Sequence, residues 1–323
     1  MAISVGTFNL NNLFSRFNFQ GEITDTPEGG GITLEFDSEQ DYKARTFMGR
    51  LVKNKDAEDT QTIADRILSM NVDVLAVQEV EHIEILKEFN QNHLHGLYAH
   101  VALIEGNDRR MIDVGVLSKL PLGALTSHQT AVHPDEPEAR VFSRDLLQVE
   151  ILDANRRHKL FTLYNTHLKS HFVPYYEDQV AGKELANQRR QRQAQTISRI
   201  LSDTERPNSS FILLGDMNDP PESEYLQPMY EADGRALFNA LQAPVETREA
   251  KAETAGQGPG PQSAAWTHRY NPPGPPFPEY RLLDQIWLSQ PLQGKLLSSH
   301  IDRRSKHGGD GGDHDPAWVV LEL

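Results

Sequence analysis

Polar side chains recur at the ends of apolar runs in this 323-residue chain. Asn9 falls near the end of Ile3-Ser4-Val5-Gly6-Thr7-Phe8-Asn9-Leu10, and Glu79 follows Val72-Asp73-Val74-Leu75-Ala76-Val77-Gln78. His167 follows Leu163-Tyr164-Asn165-Thr166, and Asp216 and Asn218 follow Phe211-Ile212-Leu213-Leu214-Gly215. Asp284 sits beside Leu282-Leu283, and Asp313-His314 lies between a glycine-rich stretch and the last apolar run. Strand ends are where a sheet scaffold presents reactive groups to a shared cleft. Any one of these residues alone reads as a turn former or a helix cap. Together they supply the carboxylate, amide and imidazole groups that phosphate hydrolysis with a hard cation needs. The chain has no cysteine, which excludes disulfides, thiolate metal sites and a cysteine nucleophile.

Such a set needs strands that end in one place. The first strand is expected over residues 3–10. A helix follows near 60–70, where Ile63, Ile67 and Leu68 share one face at amphipathic spacing. Residues 72–77 form a buried-strand candidate, and further strands are expected at 112–117, 146–152 and 160–165. A Gln- and Arg-rich helix over 186–201 precedes the strand at 211–214. The order helix then strand therefore occurs twice, without a residue-level repeat. Residues 21–59 are polar and contain Gly29-Gly30-Gly31, which reads as a long loop or insertion. Residues 244–279 are rich in Gly, Pro and Ala, which reads as a flexible surface segment. Strands resume at 283–288 on its far side and then at 318–323 at the C-terminus, and apolar strands flank the segment closely, so 1–323 reads as a single domain with loop insertions near 21–59 and 244–279.

The motifs Thr7-Phe8-Asn9-Leu10-Asn11, Val77-Gln78-Glu79-Val80, Asn165-Thr166-His167-Leu168-Lys169-Ser170, Leu214-Gly215-Asp216-Met217-Asn218, Leu283-Asp284-Gln285-Ile286 and Gly312-Asp313-His314-Asp315-Pro316 resemble those of the endonuclease/exonuclease/phosphatase superfamily. They occur in that family's order and cover almost the whole chain. The group includes pancreatic-type deoxyribonucleases, abasic-site endonucleases, neutral sphingomyelinases and inositol polyphosphate phosphatases. The resemblance implies a four-layer α/β/β/α sandwich of two mixed sheets with helices outside and the site at one end of the sheets.

Physical roles can be set beside that resemblance. Glu79 is a hard oxygen ligand suited to Mg²⁺ or Mn²⁺, with Asn9 adding an amide oxygen or orienting Glu79, and Asp313 a further ligand. Asp216 is the candidate base that deprotonates the attacking water. Asn218 lies on the same face of an extended segment and would hold that water or a phosphate oxygen. His314 would steady developing charge, with Asp284 on its other ring nitrogen favouring the imidazolium. His167 is a second imidazole for the non-bridging oxygens. Blander readings exist: Asn9 as a turn cap, His167 as a core histidine, and the stretch holding Asp310, Asp313 and Asp315 as a solvated or Ca²⁺-binding loop. Arg110, Arg144 and Lys169 are candidates to meet the substrate phosphate, against a reading as surface charges. The run Arg189-Arg190-Gln191-Arg192 is expected on a solvated helix face.

The formal net charge of −14 opposes a stable DNA-binding module. A nuclease remains open, because a bound cation supplies its own positive field. A nuclease acting on DNA or RNA is therefore the leading expectation, with Trp266 and Tyr270 as candidate base-stacking groups. A phosphatase or phosphodiesterase for a small or lipid-linked phosphate is the alternative, and a non-catalytic binding module the remote one. No apolar stretch approaches the roughly 20 residues of a membrane span. The N-terminus lacks a secretory signal, so a cytoplasmic location is expected for a chain that starts here, and secretion for one trimmed from a precursor.

Overall fold

In a computed structural model of the chain, the described residues are 1–13, 55–108, 110–173, 176, 178–232, 234–242, 245–249, 265–270, 278–303 and 311–323. The principal strands are β1 (Ala2–Leu13), β2 (Val74–Val80), β3 (His100–Leu103), β4 (Asp113–Ser118), β5 (Leu122–Ser127), β6 (Leu146–Leu152) and β7 (Lys159–His167). They continue as β8 (Phe211–Asp216), β9 (Phe238–Asn239), β10 (Val245–Glu249), β11 (Asp284–Leu288), β12 (Leu296–Arg303) and β13 (Ala317–Glu322). The helices that cover them are α1 (Ala57–Met70), α2 (Ile83–Asn92) and α3 (Gln179–Thr204). A seven-stranded sheet runs β10-β12-β13-β1-β2-β4-β3, and a six-stranded sheet runs β9-β11-β8-β7-β6-β5.

Each sheet has a parallel pair at its centre. In the first, β1 and β2 are parallel, with Phe8 opposite Val77 and α1 as the connection. In the second, β7 and β8 are parallel, with His167 opposite Asp216 and α3 as the connection. Antiparallel strands flank both pairs: β13 and β4 in one sheet, β11 and β6 in the other. The layout repeated in the sequence is thus repeated in space.

The period-two alternation of strands sorts side chains into layers. Val74 and Ala76 of β2 join Ile212 and Leu214 of β8 in the core between the sheets. Leu75 and Val77 point the other way, onto Ile63 and Ile67 of α1. Leu213 of β8 packs with Ala194, Ile197 and Leu201 of α3. Strands buried on both faces read as continuous apolar runs, which is why β2 and β8 are visible in the sequence. The result is the four-layer sandwich. Buried amides tie its two sheets together: Gln78 donates to Asn165 Oδ1 at 2.8 Å, and Asn165 donates to the carbonyls of Val77 at 3.1 Å and Gly115 at 2.8 Å.

Several expectations change. Helix α1 starts at Ala57 rather than 60, because the Asp56 side chain caps it by accepting from Glu58 N at 2.9 Å. Helix α3 starts at Gln179 rather than 186, capped by Asp178. The 21–59 insertion lies outside the described residues except for its last five positions. The 244–279 segment is not all loop. Its Val245–Glu249 stretch, with β-branched Val245 and Thr247, pairs in parallel with β12, and His268–Tyr270 pairs with Glu279–Arg281; its Gly/Pro runs lie outside the described residues. Arg190 is fully buried, not solvated, because it shares a helical face with Ala186, Ala194 and Ile197. Among the described residues no helix is long and apolar enough to cross a membrane.

Gly215 lies in the middle of this arrangement. Its φ is +131°, and a Cβ there would stand 2.0 Å from Thr166 O. Gly215→Ala must therefore part β7 from β8. The expected cost is at least about 3 kcal/mol in urea unfolding, from combined steric and backbone strain. An unchanged unfolding midpoint would show that these strand ends are not in close register.

Candidate active site

The C-terminal ends of both parallel pairs open onto one place. From β1 comes Asn9, whose Nδ2 donates to Asp216 Oδ2 at 3.0 Å, while its Oδ1 accepts from Asn11 N at 2.9 Å. From β7 comes His167, with Nε2 3.4 Å from Asp216 Oδ2 and 3.9 Å from Glu79 Oε1. Glu79, near the end of β2, holds a left-handed backbone at φ 60° beside the β2–β4 irregularity. Its carboxylate also accepts from Asn12 N at 3.1 Å. Asn218, at φ 55°, donates from its backbone to Asp216 Oδ1 at 2.9 Å and from its side chain to Leu168 O at 3.1 Å. Non-glycine residues held at positive φ cost about 1–3 kcal/mol each and cluster at functional sites.

The remaining members arrive from the other side. His314 Nδ1 donates to Asp284 Oδ2 at 2.7 Å, and its Nε2 stands 3.8 Å from Asp216 Oδ2. Asp284 is wholly buried at the start of β11. Its backbone is pinned by Asp284 N donating to Thr267 Oγ1 at 3.0 Å. Asp284 and His314, 30 residues apart in sequence, thus meet as the sequence reading expects.

The electrostatics separate the groups. Burial pushes Asp216 up to about 7, opposed by His314 and aided by Asp284. Burial also disfavours charge on His314, but the Asp284, Asp216 and Asp313 carboxylates outweigh it and hold the ring well above its ordinary pKa. His167 lies well below, through burial and the charges of Arg144, His314 and Arg110. Glu79 is raised by burial and by Asp313. Two carboxylates that repel each other at the mouth of a site, one of them partly buried, match the oxygen donors a hard divalent cation takes. Asp216, Asp284 and His314 form a further group of donors close enough to hold an ion.

The basic candidates sort differently. Arg144 is buried and clamps Asp108 at 3.3 Å and Leu168 O at 2.7 Å. Arg110 is half-exposed on the same Asp108 at 3.3 Å. Lys169 donates to Ser170 O and Phe172 O, and burial with Arg144 and Arg110 brings it down to about 8. The charges of Arg110 and Arg144 reach both Glu79 and His167. Trp266 lies under the Arg303 guanidinium at 4.4 Å and meets Tyr280 edge-on, so its ring face serves the fold. Asp315 serves the fold through Arg66 at 2.6 Å. Asp310 lies outside the described residues.

Three contributors escape the sequence reading. Lys55 donates to Asn11 O at 2.7 Å and feels Asp59, Glu79 and Asp313; it sits at the end of a polar stretch with no motif. Thr267 carries the backbone of Asp284. Asp219, directly after Asn218, binds Arg190 at 3.1 Å and His171 at 3.1 Å; its adjacency to the Gly215–Asn218 motif is the one signal that could have found it. The His314 assignment is testable by NMR titration. Asp284→Asn should lower the His314 pKa, because the largest contribution raising it is gone, while an unchanged titration would remove Asp284 as the group that charges the ring.

The family model described as "Endonuclease/Exonuclease/phosphatase family" matches residues 6–314. Curated protein sequences give no match. Among solved structures, an endonuclease/exonuclease/phosphatase from Bacteroides vulgatus superposes with TM-score 0.59 at 13% identity, covering 100% of this chain and 99% of its own. An AP endonuclease from Archaeoglobus fulgidus gives 0.57 at 14%, covering 99% and 100%. D. rerio TDP2, complexed with single strand DNA product, gives 0.56 at 11%, covering 100% and 99%. The structural likenesses establish the same sandwich, and with the match from residue 6 to residue 314 the chain belongs to the endonuclease/exonuclease/phosphatase family.

Proposed function

We propose that this chain is a divalent-cation-dependent phosphodiesterase that hydrolyses nucleic acid. The observation that carries the reading is Asp216: a buried carboxylate pushed up to about 7, held by Asn9 and Asn218 and faced by two imidazoles. A base with a pKa near working pH both exists in the needed form and takes a proton readily.

The roles follow from the geometry. A water oxygen attacks phosphorus, its proton passes to Asp216, and the bond from phosphorus to the leaving oxygen breaks. Asn9 and the Asn218 backbone fix the direction of the accepting oxygens. His314 as an imidazolium, held by Asp284, places positive charge where negative charge grows on the non-bridging oxygens. His167, kept neutral by its surroundings, offers a hydrogen bond to the same oxygens. Such preorganised charge is usually the largest catalytic contribution. Glu79, with Asn9 or Asp313, would hold Mg²⁺ or Mn²⁺. That ion would polarise the phosphoryl group and stabilise the leaving oxygen. Arg110, Arg144 and Lys169 would supply positive charge to an approaching phosphate, Arg110 and Arg144 through the same field that reaches Glu79 and His167.

Nucleic acid is favoured over a small ester by the cationic side of the site. It is favoured too by relatives in fold named as an AP endonuclease and as TDP2 with a single-strand DNA product. The formal net charge of −14 favours the second reading, a small phosphate ester bound in a local pocket. Plasmid DNA, RNA, bis-p-nitrophenyl phosphate and a p-nitrophenyl monoester, each with Mg²⁺, Mn²⁺ or chelator, separate the two. Nucleic-acid cleavage that weakens steeply with salt, as counterion release requires, supports the first. Turnover of small esters alone transfers the assignment to the second.

Two further outcomes are expected. Glu79→Ala should abolish turnover while leaving the circular dichroism of the fold unchanged; full activity in that variant or in excess chelator would sink the cation reading. The kcat profile should be bell-shaped. It rises through about pH 7 as Asp216 loses its proton. It falls above the raised pKa of His314 as the ring loses its charge. In Asp216→Asn the rising limb should vanish along with most of the rate.

A further inference from the structure

A histidine outside the groups just assigned stands against them. His268 begins a short strand that pairs with Glu279–Arg281, and its backbone also forms an antiparallel bridge with His314. The preceding residue, Thr267, accepts at its carbonyl from Asp315 N at 2.7 Å and at its hydroxyl from Asp284 N at 3.0 Å. The ribbon is therefore fastened to both halves of the Asp284–His314 pair. This fastening brings the His268 and His314 rings to 5.0 Å between centroids. One donor atom from each of His268, Asp313 and His314 lies within 4.8 Å of the others. His268 is half-buried and Asp313 exposed, so an ion has a path in from solvent.

A second feature points to a metal. His314 uses Nδ1 on Asp284 at 2.7 Å, which leaves Nε2 as the ligating nitrogen. A carboxylate on the far nitrogen is the usual outer support of a metal-bound imidazole, since it fixes tautomer and ring direction. The donor types then select the ion. Glu79 and Asn9 offer only oxygen, which suits Mg²⁺ or Mn²⁺. Two imidazoles with one carboxylate suit Zn²⁺ and its later first-row neighbours, with water as fourth ligand. Ligand bonds to Zn²⁺ are about 2.0–2.2 Å, so three donors spread within 4.8 Å need only small side-chain rotations to close on one ion.

We propose that His268, Asp313 and His314 form a transition-metal site, which differs from the oxygen-donor site at Glu79 in its two imidazoles and draws Asp313 away from it, and whose occupation by Zn²⁺ switches the enzyme off. An ion on His314 Nε2 removes that nitrogen from the phosphate, and an ion on Asp313 withdraws a carboxylate from beside Glu79. The site thus couples activity to transition-metal level through a residue, His268, that the hydrolytic reaction itself does not use.

The test reads binding apart from turnover. Full-length protein is titrated with Co²⁺, whose visible absorption reports imidazole ligation at low coordination number, and with Zn²⁺ in competition. The expected result is one ion per chain with a visible band, retained in Glu79→Ala. In His268→Ala and His268→Gln, affinity should fall by more than about tenfold, the scale on which even an outer partner of a metal ligand is felt. In Mg²⁺ assays, micromolar Zn²⁺ should inhibit the unmodified chain, while both His268 variants keep turnover and lose the inhibition. An unchanged Co²⁺ band in both His268 variants would overturn the site. A band lost in Glu79→Ala would assign the ion to the oxygen-donor site instead. If no phosphate ester is turned over, the Co²⁺ titration still decides the metal site on its own.

Discussion

The arrangement depends on one buried contact between the sheets, the side-chain amides of Gln78 and Asn165 meeting at 2.8 Å. Each amide is also spent on its surroundings: Asn165 binds the carbonyls of Val77 and Gly115, and Gln78 binds Thr7. A buried amide left unmatched loses about 1–3 kcal/mol, so a slip of one sheet over the other by a residue is strongly disfavoured. Apolar packing is non-directional and tolerates such a slip. The amides therefore supply the register that the aliphatic core cannot. They lie one residue before Glu79 and two before His167, so the register they set is that of the site.

From this register follows the convergence of charge. Asn9 and Glu79 belong to one sheet, and His167 and Asp216 to the other, yet His167 Nε2 lies within 3.4–3.9 Å of carboxylates from both. Bringing these groups out of water costs stability, and the protein leaves part of that cost uncompensated. Asp216 and Glu79 are both raised and His167 is depressed. A fold optimised for stability alone would place apolar groups here. Such a retained penalty, together with left-handed Glu79 and Asn218, is the combination that clusters at functional sites.

What the sequence discloses follows from the same physics. Strands β2 and β8 are buried on both faces, so they appear as unbroken apolar runs, with Glu79 and Asp216 just past them. Glu79 and Asp216 are legible for that reason, and His167 and Asn218 through the motifs that surround them. The groups that position them are not. Arg190 sits among three other basic or amide residues, and only the three-dimensional face shared with Ala194 and Ile197 distinguishes it from a solvated charge. Lys55 and Thr267 carry no periodicity, and their roles rest on backbone contacts that no spacing rule encodes. Strand β10 is five residues long and lies beside a Gly/Pro-rich stretch, so the composition of 244–279 conceals it.

The Thr267 ribbon shows how a loop insertion acquires a part in the site without joining the sheets. Its own pairing, three residues against three, is too short to be stable alone. It is held by Thr267, which binds Asp284 N, Leu283 N and Asp315 N. Those three amides belong to the two segments that carry the Asp284–His314 pair. The dependence runs both ways: the ribbon fixes the backbones that carry the pair, and those backbones give the ribbon its anchor. Burial by itself disfavours charge on His314, and the Asp284, Asp216 and Asp313 carboxylates must outweigh it. The ribbon's part in the elevated pKa of His314 is therefore positional: it holds the backbones that keep Asp284 and the ring at 2.7 Å.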